Sequence, residues 1–343
     1  ISDLHISNES YLDKVDLIVQ ACSFDIKNES NVYIVISGDI TQYGKKEEFE
    51  KAKIFLKTLK DKIKPKNSLL TVDLVLVPGN HDCCFDNVKT TREIIINSCR
   101  TDFITEEDYF SDAMAVQENF WEFYEEINSS LPKDKLAFKS TFQPHINNKI
   151  IFHCYNSSWM SEIHETPGSL IIPQNKFLDS EYSERSEFVI SLFHHPLEWL
   201  SPNTKNNNKS RFEEHITKTS NLILFGHEHD KGKSKNIIQK GNSAVFCGAK
   251  AFQKDKIDET GFSFYEIDLI DKSTNVKVYK WNKENYALDF EDKYLKECFF
   301  KALKLYFTTK EYFKKNKITA VCPSHVCYFY GIIARIAANN NIP

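Results

Sequence analysis

Short apolar runs alternate with longer amphipathic stretches along most of the chain. Residues 32–37 (VYIVIS) form a continuous, β-branched run, which predicts a strand buried on both faces. Residues 45–59 follow with apolar positions at Phe49, Ala52, Phe55, Leu56 and Leu59, the spacing of one helix face. A second buried strand is expected over 72–77, stopped by Pro78-Gly79. Residues 91–127 carry a mainly helical, amphipathic pattern, and further strands are expected over 149–154, 188–193 and 221–225. Strand-helix-strand order of this kind predicts a sheet covered by helices on its faces.

The pattern changes from residue 244. AVFCGA, FSFYEIDL and NVKVYKW read as strands within 244–289 and suggest a second sheet packed on the first. Residues 293–315 form one long helical pattern rich in Phe, Tyr and Leu. A polar break with Pro323 precedes another apolar helix over 325–338. The expected class is α/β: two packed sheets flanked by helices over residues 1–290, then a helical C-terminal extension over 291–343 that could lead into a further domain or meet a partner. The polar run 203–210 (NTKNNNKS) reads as a loop.

At 343 residues the chain suits one large domain with an appendage. The formal charge of −4 argues against a broad electrostatic grip on nucleic acid, although plentiful Lys leaves room for a local basic groove. No apolar run of about 18 residues occurs, so no membrane span is expected. No signal peptide is visible, and a cytoplasmic location is expected. The first residues are Ile-Ser-Asp rather than Met, which leaves native residues and a targeting segment before them open. The nine Cys are odd in number and scattered through apolar or helical stretches, as in a reduced thiol set. Cys322, His325 and Cys327 cluster, but no second ligand pair stands at zinc-finger spacing, so ordinary packing is the reading.

Five short motifs fall at the ends of successive expected strands: Asp3-Leu4-His5, Gly38-Asp39, Gly79-Asn80-His81-Asp82, His194-His195-Pro196 and Gly226-His227-Glu228-His229. The carboxyl edge of an open α/β sheet is where ligands bind. Carboxylate and imidazole donors suit manganese, iron or zinc better than thiolate-loving metals. Two such ions about 3.5–4 Å apart clamp the attacking and leaving oxygens of an in-line displacement and activate water for it. One carboxylate must bridge them, and Asp39, alone on a tight Gly-Asp turn, is the natural choice. Each motif has a plainer reading by itself: Asp-x-His as surface chemistry, residues 78–82 as a turn, His227 and His229 as solvent-facing neighbours on an extended segment. All five together point to one crevice. The candidate metal ligands are therefore Asp3, His5, Asp39, Asn80, His194, His227 and His229, holding two divalent cations.

This order of motifs resembles the calcineurin-like metallophosphoesterases over roughly residues 1–290. The resemblance implies a four-layer α/β/β/α sandwich and a dinuclear site, with manganese first and iron or zinc as alternatives. It implies that one ion takes Asp3, His5, Asp39 and His229, and the other Asp39, Asn80, His194 and His227. It also implies that His81 contacts the phosphate and protonates the leaving oxygen. The turn Gly38-Asp39-Ile40-Thr41-Gln42-Tyr43-Gly44 lacks the Asp-Arg pair found there in Ser/Thr protein phosphatases. Asn156-Ser157-Ser158 and the segment 168–178 look instead like the bacterial cyclic-nucleotide phosphodiesterase branch.

Of the remaining polar residues, His194 is preferred over His195 because its His-x-Pro register matches that family, which leaves His195 a supporting or substrate role. Asp82 reads as a turn or supporting residue, and Glu228 as pointing away from its histidine neighbours. His145, His153, His164 and His215 match nothing and are assigned to core or surface. Cys83 and Cys84 lie near the site, with packing as the default and oxidation open. A helical insert over 86–131 is expected to shape substrate entry. Its Tyr109, Phe110, Phe120, Trp121, Phe123 and Tyr124 are mostly core by spacing, with one or two open to stacking a base. The leading expectation is a nucleotide or small-molecule phosphodiesterase acting on a phosphate-ester substrate. A nuclease and an effector module of a larger signalling or defence protein are the alternatives.

Overall fold

A computed structural model describes residues 1–7, 11–23, 25–26, 31–64, 71–86, 88–102, 107–145, 148–179, 187–202, 207–228, 238–240, 244–249, 251–252, 260–270, 273–281, 286–288 and 293–316. In chain order the elements are α1 (Leu12–Cys22), β1 (Asn31–Ile36), α2 (Lys46–Ile63), β2 (Thr71–Leu76), α3 (Thr90–Asp102), α4 (Glu107–Ala113), α5 (Glu118–Asn128), β3 (Ala137–His145), β4 (Asn148–Tyr155) and β5 (Glu187–Leu192). They continue with α6 (Asn208–Thr219), β6 (Leu222–Phe225), β7 (Ile238–Lys240), β8 (Ala244–Gly248), β9 (Gly261–Asp268), β10 (Ser273–Trp281), β11 (Tyr286–Leu288) and α7 (Lys293–Lys315). The chain divides into two compact units, Ile1–Leu288 and Asp289–Pro343, and α7 belongs to the second. No helix among the described residues is long and apolar enough to cross a membrane.

Six strands form one sheet in the order β3-β4-β5-β6-β8-β7. Its centre, β4 through β8, is parallel, so those strands all deliver their carboxyl ends to one edge. β1 and β2 pair in parallel from Asn31↔Thr71 to Ile36↔Leu76. Beside β1 lies the start of the chain: the Asp3 N–H donates to the Gly38 carbonyl at 3.1 Å and the His5 N–H to that of Asp39 at 3.0 Å. On its other flank, Phe252 N–H reaches Ser2 O at 3.0 Å, and Gly261 N–H reaches Ala251 O at 3.1 Å, which leads into the antiparallel sheet β11-β10-β9.

Two expectations are corrected here. AVFCGA does not join a second sheet with the strands after it. As β8 it pairs with β6, from Leu222↔Val245 to Phe225↔Gly248, while β9–β11 form the separate sheet. Apolar alternation cannot say which sheet a strand joins, because the partner is chosen by tertiary contact. The polar run 203–210 is likewise not all loop: Asn208 to Ser210 begin α6, with the Asn207 side chain accepting from the Ser210 N–H at 3.3 Å as the N-cap. Strand β3 (AFKSTFQPH) is not among the strands that the apolar pattern predicts. The helix expected over 325–338 and the cluster Cys322, His325 and Cys327 lie outside the described residues.

Alternate side chains of the six-stranded sheet feed two apolar clusters. Phe188, Ile190, Leu192, Leu222 and Leu224 join residues of α1, α2, β1, β2 and α5 with Phe262 and Tyr279. Tyr155, Phe193, Ile223 and Phe246 join residues of α3, α4 and α6. Burial on both faces is why β5 and β6 read as continuous apolar runs. Phe110, Phe120, Trp121, Phe123 and Tyr124 of the expected insert are buried in these clusters, so none of the five is available to stack a base; Tyr109 is 38% exposed. Each fully buried ring contributes roughly 1.5–3 kcal/mol.

Candidate metal centre

The parallel strands turn sharply as they leave the sheets, and three of the four turns carry a glycine directly before the polar residue. β1 exits through Ser37-Gly38-Asp39, β2 through Pro78-Gly79-Asn80-His81, β5 through Phe193-His194-His195 and β6 through Gly226-His227. A Cβ on Gly38 would collide with the His194 ring, one on Gly79 with the Asp39 carboxylate, and one on Gly226 with the Ser2 hydroxyl. Glycine precedes these polar residues because the side chain from a neighbouring strand crosses directly over its Cα.

Strain is concentrated in the same place. Asp3, His5, Asp39 and His227 have φ of 52°, 46°, 53° and 71°, and among the described residues only Ser129 and Asn207 share this left-handed conformation without being glycine. Each such residue costs about 1–3 kcal/mol, and strain of this kind persists where a site requires it. It also corrects two readings. Residues 1–6 make bridges at Ser2 and Ile6 but no regular strand, since Asp3 and His5 interrupt the pleat. His227 is not on an extended segment, so the alternation argued for His227 and His229 does not hold; His229 itself lies outside the described residues.

The polar atoms converge. Asn80 Oδ1 lies 3.0 Å from His194 Nε2 and 3.0 Å from His227 Nδ1, and those two nitrogens are 3.2 Å apart. Asp39 Oδ2 sits 3.3 Å from His194 Nε2 and 3.7 Å from His5 Nε2. Ligand atoms of Asp3, Asp39 and His194 fall within 4.8 Å of one another, as do those of His5, Asp39 and His81. Asp3, His5, Asp39 and His194 are buried. Asp39 thus stands between two groups of donors, one from the chain start and one from the Asn80, His194 and His227 turns.

Hydrogen bonds decide which histidine nitrogens are open. His194 Nδ1 is 2.7 Å from the Ser37 carbonyl, which only accepts, so Nδ1 carries the proton and Nε2 presents its lone pair. His195 differs. Ser157 Oγ accepts from the backbone N–H of His194 at 3.3 Å and of His195 at 3.0 Å, so its own proton goes to His195 Nδ1 at 3.0 Å. His195 Nε2 then donates to Glu165 Oε2 at 3.1 Å. Both nitrogens of His195 are engaged, and proximity to His194 and His227 does not make it a ligand.

His81 stands apart from the close cluster. Its N–H donates to Asp39 Oδ1 at 2.8 Å, its ring meets that of His5 edge-on at 4.5 Å, and its Nδ1 donates to the Gln42 carbonyl at 2.9 Å. Asp82 is wholly buried, and its oxygens accept from the Thr41 N–H and hydroxyl and from the Gly79 N–H. Glu228 and His164 are exposed, His153 is buried in β4, and His215 bonds the Leu178 carbonyl at 3.0 Å. Cys83 and Cys84 are free thiols, Cys83 buried and pushed up in pKa by that burial. Sequence reasoning missed Glu165, which no motif marks, and Trp199, whose ring stands 4.2 Å from that of His227.

The residues fit a pair of divalent cations. Donors held about 2.0–2.2 Å from one ion lie roughly 3–3.5 Å from each other, the spacing found here. Burial would raise the Asp39 carboxyl, but the His194 imidazole, with His5 and His81, holds it well below the usual carboxylate range. Burial, with His195 and His194 nearby, pushes His227 down to about 3 and so keeps it in the neutral form that offers a lone pair. Burial opposes a proton on His194, yet Asp39 lifts it to about 9. A cation at Nε2 would take that proton's place and supply the positive charge that a buried carboxylate demands.

Carboxylate and imidazole donors gathered at the carboxyl edge of parallel strands define a candidate divalent-metal centre. The chain belongs to the calcineurin-like phosphoesterases, whose family model matches residues 1–231. An uncharacterized metallophosphoesterase-like protein of Bacillus subtilis (strain 168), YydB, is 25% identical over 309 residues, covering 83% of this chain and 59% of that protein. The chain therefore spans about three-fifths of that relative's length. The family is one of phosphoesterases that generally use a dinuclear divalent-metal site.

Proposed function

We propose that the chain is a phosphodiesterase for nucleotides or other small phosphate diesters, working with two divalent cations, manganese before iron or zinc. Asp3, His5, Asp39 and His229 would hold one cation, and Asp39, Asn80, His194 and His227 the other, on a four-layer α/β/β/α body of residues 1–290. The observation that carries the reading is the position of Asp39, whose Oδ2 faces His5 on one side and His194 on the other. When bound, the cations supply charge that activates water near neutral pH and neutralises phosphate oxygens.

The chain's own groups do the rest. Asn80 contributes a neutral oxygen, which leaves the centre net positive toward an anionic substrate. The bond from His81 Nδ1–H to Gln42 O leaves Nε2 as the atom that, with the ring in its imidazolium form, would give its proton to the departing oxygen. The bond from the His81 N–H to Asp39 Oδ1 holds that ring at a fixed offset from the centre.

The test is metal analysis of purified protein coupled to hydrolysis of bis-p-nitrophenyl phosphate, p-nitrophenyl phosphate, cyclic mononucleotides and DNA. Two equivalents of metal and diester turnover, lost in Asp39→Asn, are expected. Preference for the monoester removes the diesterase assignment, and cleavage of DNA above the small diesters favours a nuclease.

A further inference from the structure

Glu165 sits between exposed neighbours, Ile163 and His164 before it and Thr166 and Pro167 after it, with Ile163 71% exposed. Its own side chain is only 6% exposed. A carboxylate is turned inward against the trend of its segment, and burial of that kind is unfavourable unless donors await it. One donor is present, His195 Nε2 at 3.1 Å from Oε2. The other oxygen, Oε1, is also buried, and the buried Ser161 hydroxyl lies beside the carboxylate.

The histidine that Glu165 holds leads directly to the donor cluster. The His195 ring packs against the His227 ring at 4.5 Å, and Trp199 closes on His227 at 4.2 Å with the planes at 82°. His227 Nδ1 faces Asn80 Oδ1 and His194 Nε2. A ring that offers Nδ1 to a cation carries its proton on Nε2, away from the donor cluster. Ligand histidines hold their orientation by donating that second N–H to a carboxylate or carbonyl. His227 has particular need of such support, because its backbone is left-handed at φ 71°.

We propose that Glu165 is a positioning residue, which grips His195 and, through the His195 ring packed on His227, steadies that ligand, and so sets the affinity of the cation that Asn80, His194 and His227 would share. The inference rests on the two-cation reading above. It adds a residue outside every motif, and it makes the loop of residues 161–168 part of the centre. Glu165 touches no substrate in this scheme, so its loss acts on one cation and not on the other.

The experiment compares wild type, Glu165→Ala and Glu165→Gln. Each is stripped with chelator, then titrated with manganese and separately with zinc, with bound metal counted by mass spectrometry and the melting temperature of each stripped protein recorded. Wild type is expected to take two ions. Glu165→Ala is expected to keep one at wild-type affinity and bind the second about 10–100-fold more weakly, with an unchanged melting temperature when stripped. Activity toward bis-p-nitrophenyl phosphate should return at high metal with an unaltered KM. If Glu165→Ala does not accumulate folded, Glu165→Gln carries the same comparison, with selective weakening again expected. Two ions at wild-type affinity in the variants overturn the inference and leave the two-cation reading intact. Equal weakening of both ions with a lower melting temperature also overturns it, since that is a general structural defect. A wild type that binds no ion pair overturns both.

Discussion

Asp82 Oδ1 accepts from both the backbone N–H and the hydroxyl of Thr41, at 2.9 and 3.1 Å. Its other oxygen accepts from the Gly79 N–H at 2.9 Å. One carboxylate thereby ties the turn after β1, which carries Asp39, to the turn after β2, which carries Asn80. Asp82→Ala would leave buried donors on both turns, at about 1–3 kcal/mol each. Urea unfolding of stripped protein should register a loss of at least about 2 kcal/mol, and metal affinity should fall alongside. Unfolding within about 0.5 kcal/mol of wild type would show that the tie is dispensable.

Gly79 separates space from conformation. Its φ is −102°, open to any residue, yet a Cβ there would collide with the Asp39 carboxylate. Gly79→Ala should therefore retain far-ultraviolet dichroism while losing bound metal and turnover by more than about 100-fold, the scale of a misplacement near 1 Å. Normal metal content in this variant would mean that Asp39 is free to shift without consequence.

His81 is held by Asp39 and Gln42 but lies outside the donor cluster of Asn80, His194 and His227. His81→Ala should keep its metal and slow hydrolysis by about 10²–10⁴-fold. The loss should be larger for alkyl than for p-nitrophenyl leaving groups. Equal losses across leaving groups would exclude proton donation by this ring.

His153 offers a test of the fold independent of the metal site. It is fully buried in β4, and neither ring nitrogen has a hydrogen-bond partner. Burial first, then Lys139 and His215, lower it from 6.5 to about 3. A folded-state value below the unfolded one means that the unfolded chain takes up the proton first. Stability is then lost as pH falls below about 6.5, by up to about 1.4 kcal/mol per pH unit until the folded ring titrates. His153→Leu should flatten the fall in unfolding free energy between pH 7 and 5 by about 2 kcal/mol. A variant with the wild-type slope would assign the acid sensitivity elsewhere.

Much of the scaffold was legible because it follows from local periodicity. The run VYIVIS became β1, and the apolar spacing at Phe49, Ala52, Phe55 and Leu59 became the buried face of α2. Gly38, Gly79 and Gly226 also signalled in sequence, although the reason they are glycine is a collision with side chains distant in the chain, as far apart as Gly226 and Ser2. β3 and the pairing of β8 were not legible, because strand partnership depends on what packs against each face and not on the strand's own order of residues.

For the centre itself, residue types and their places at strand ends were determined by the sequence alone, since strand, turn and polar residue are neighbours in the chain. The tertiary structure decided what each nitrogen and oxygen is free to do. Ser37 opens Nε2 of His194, Ser157 and Glu165 occupy both nitrogens of His195, and Thr41 with Gly79 takes the oxygens of Asp82. Hydrogen-bond capacity is spent between groups distant in sequence, so a residue's letter states what it can donate or accept, and only its folded surroundings state what remains.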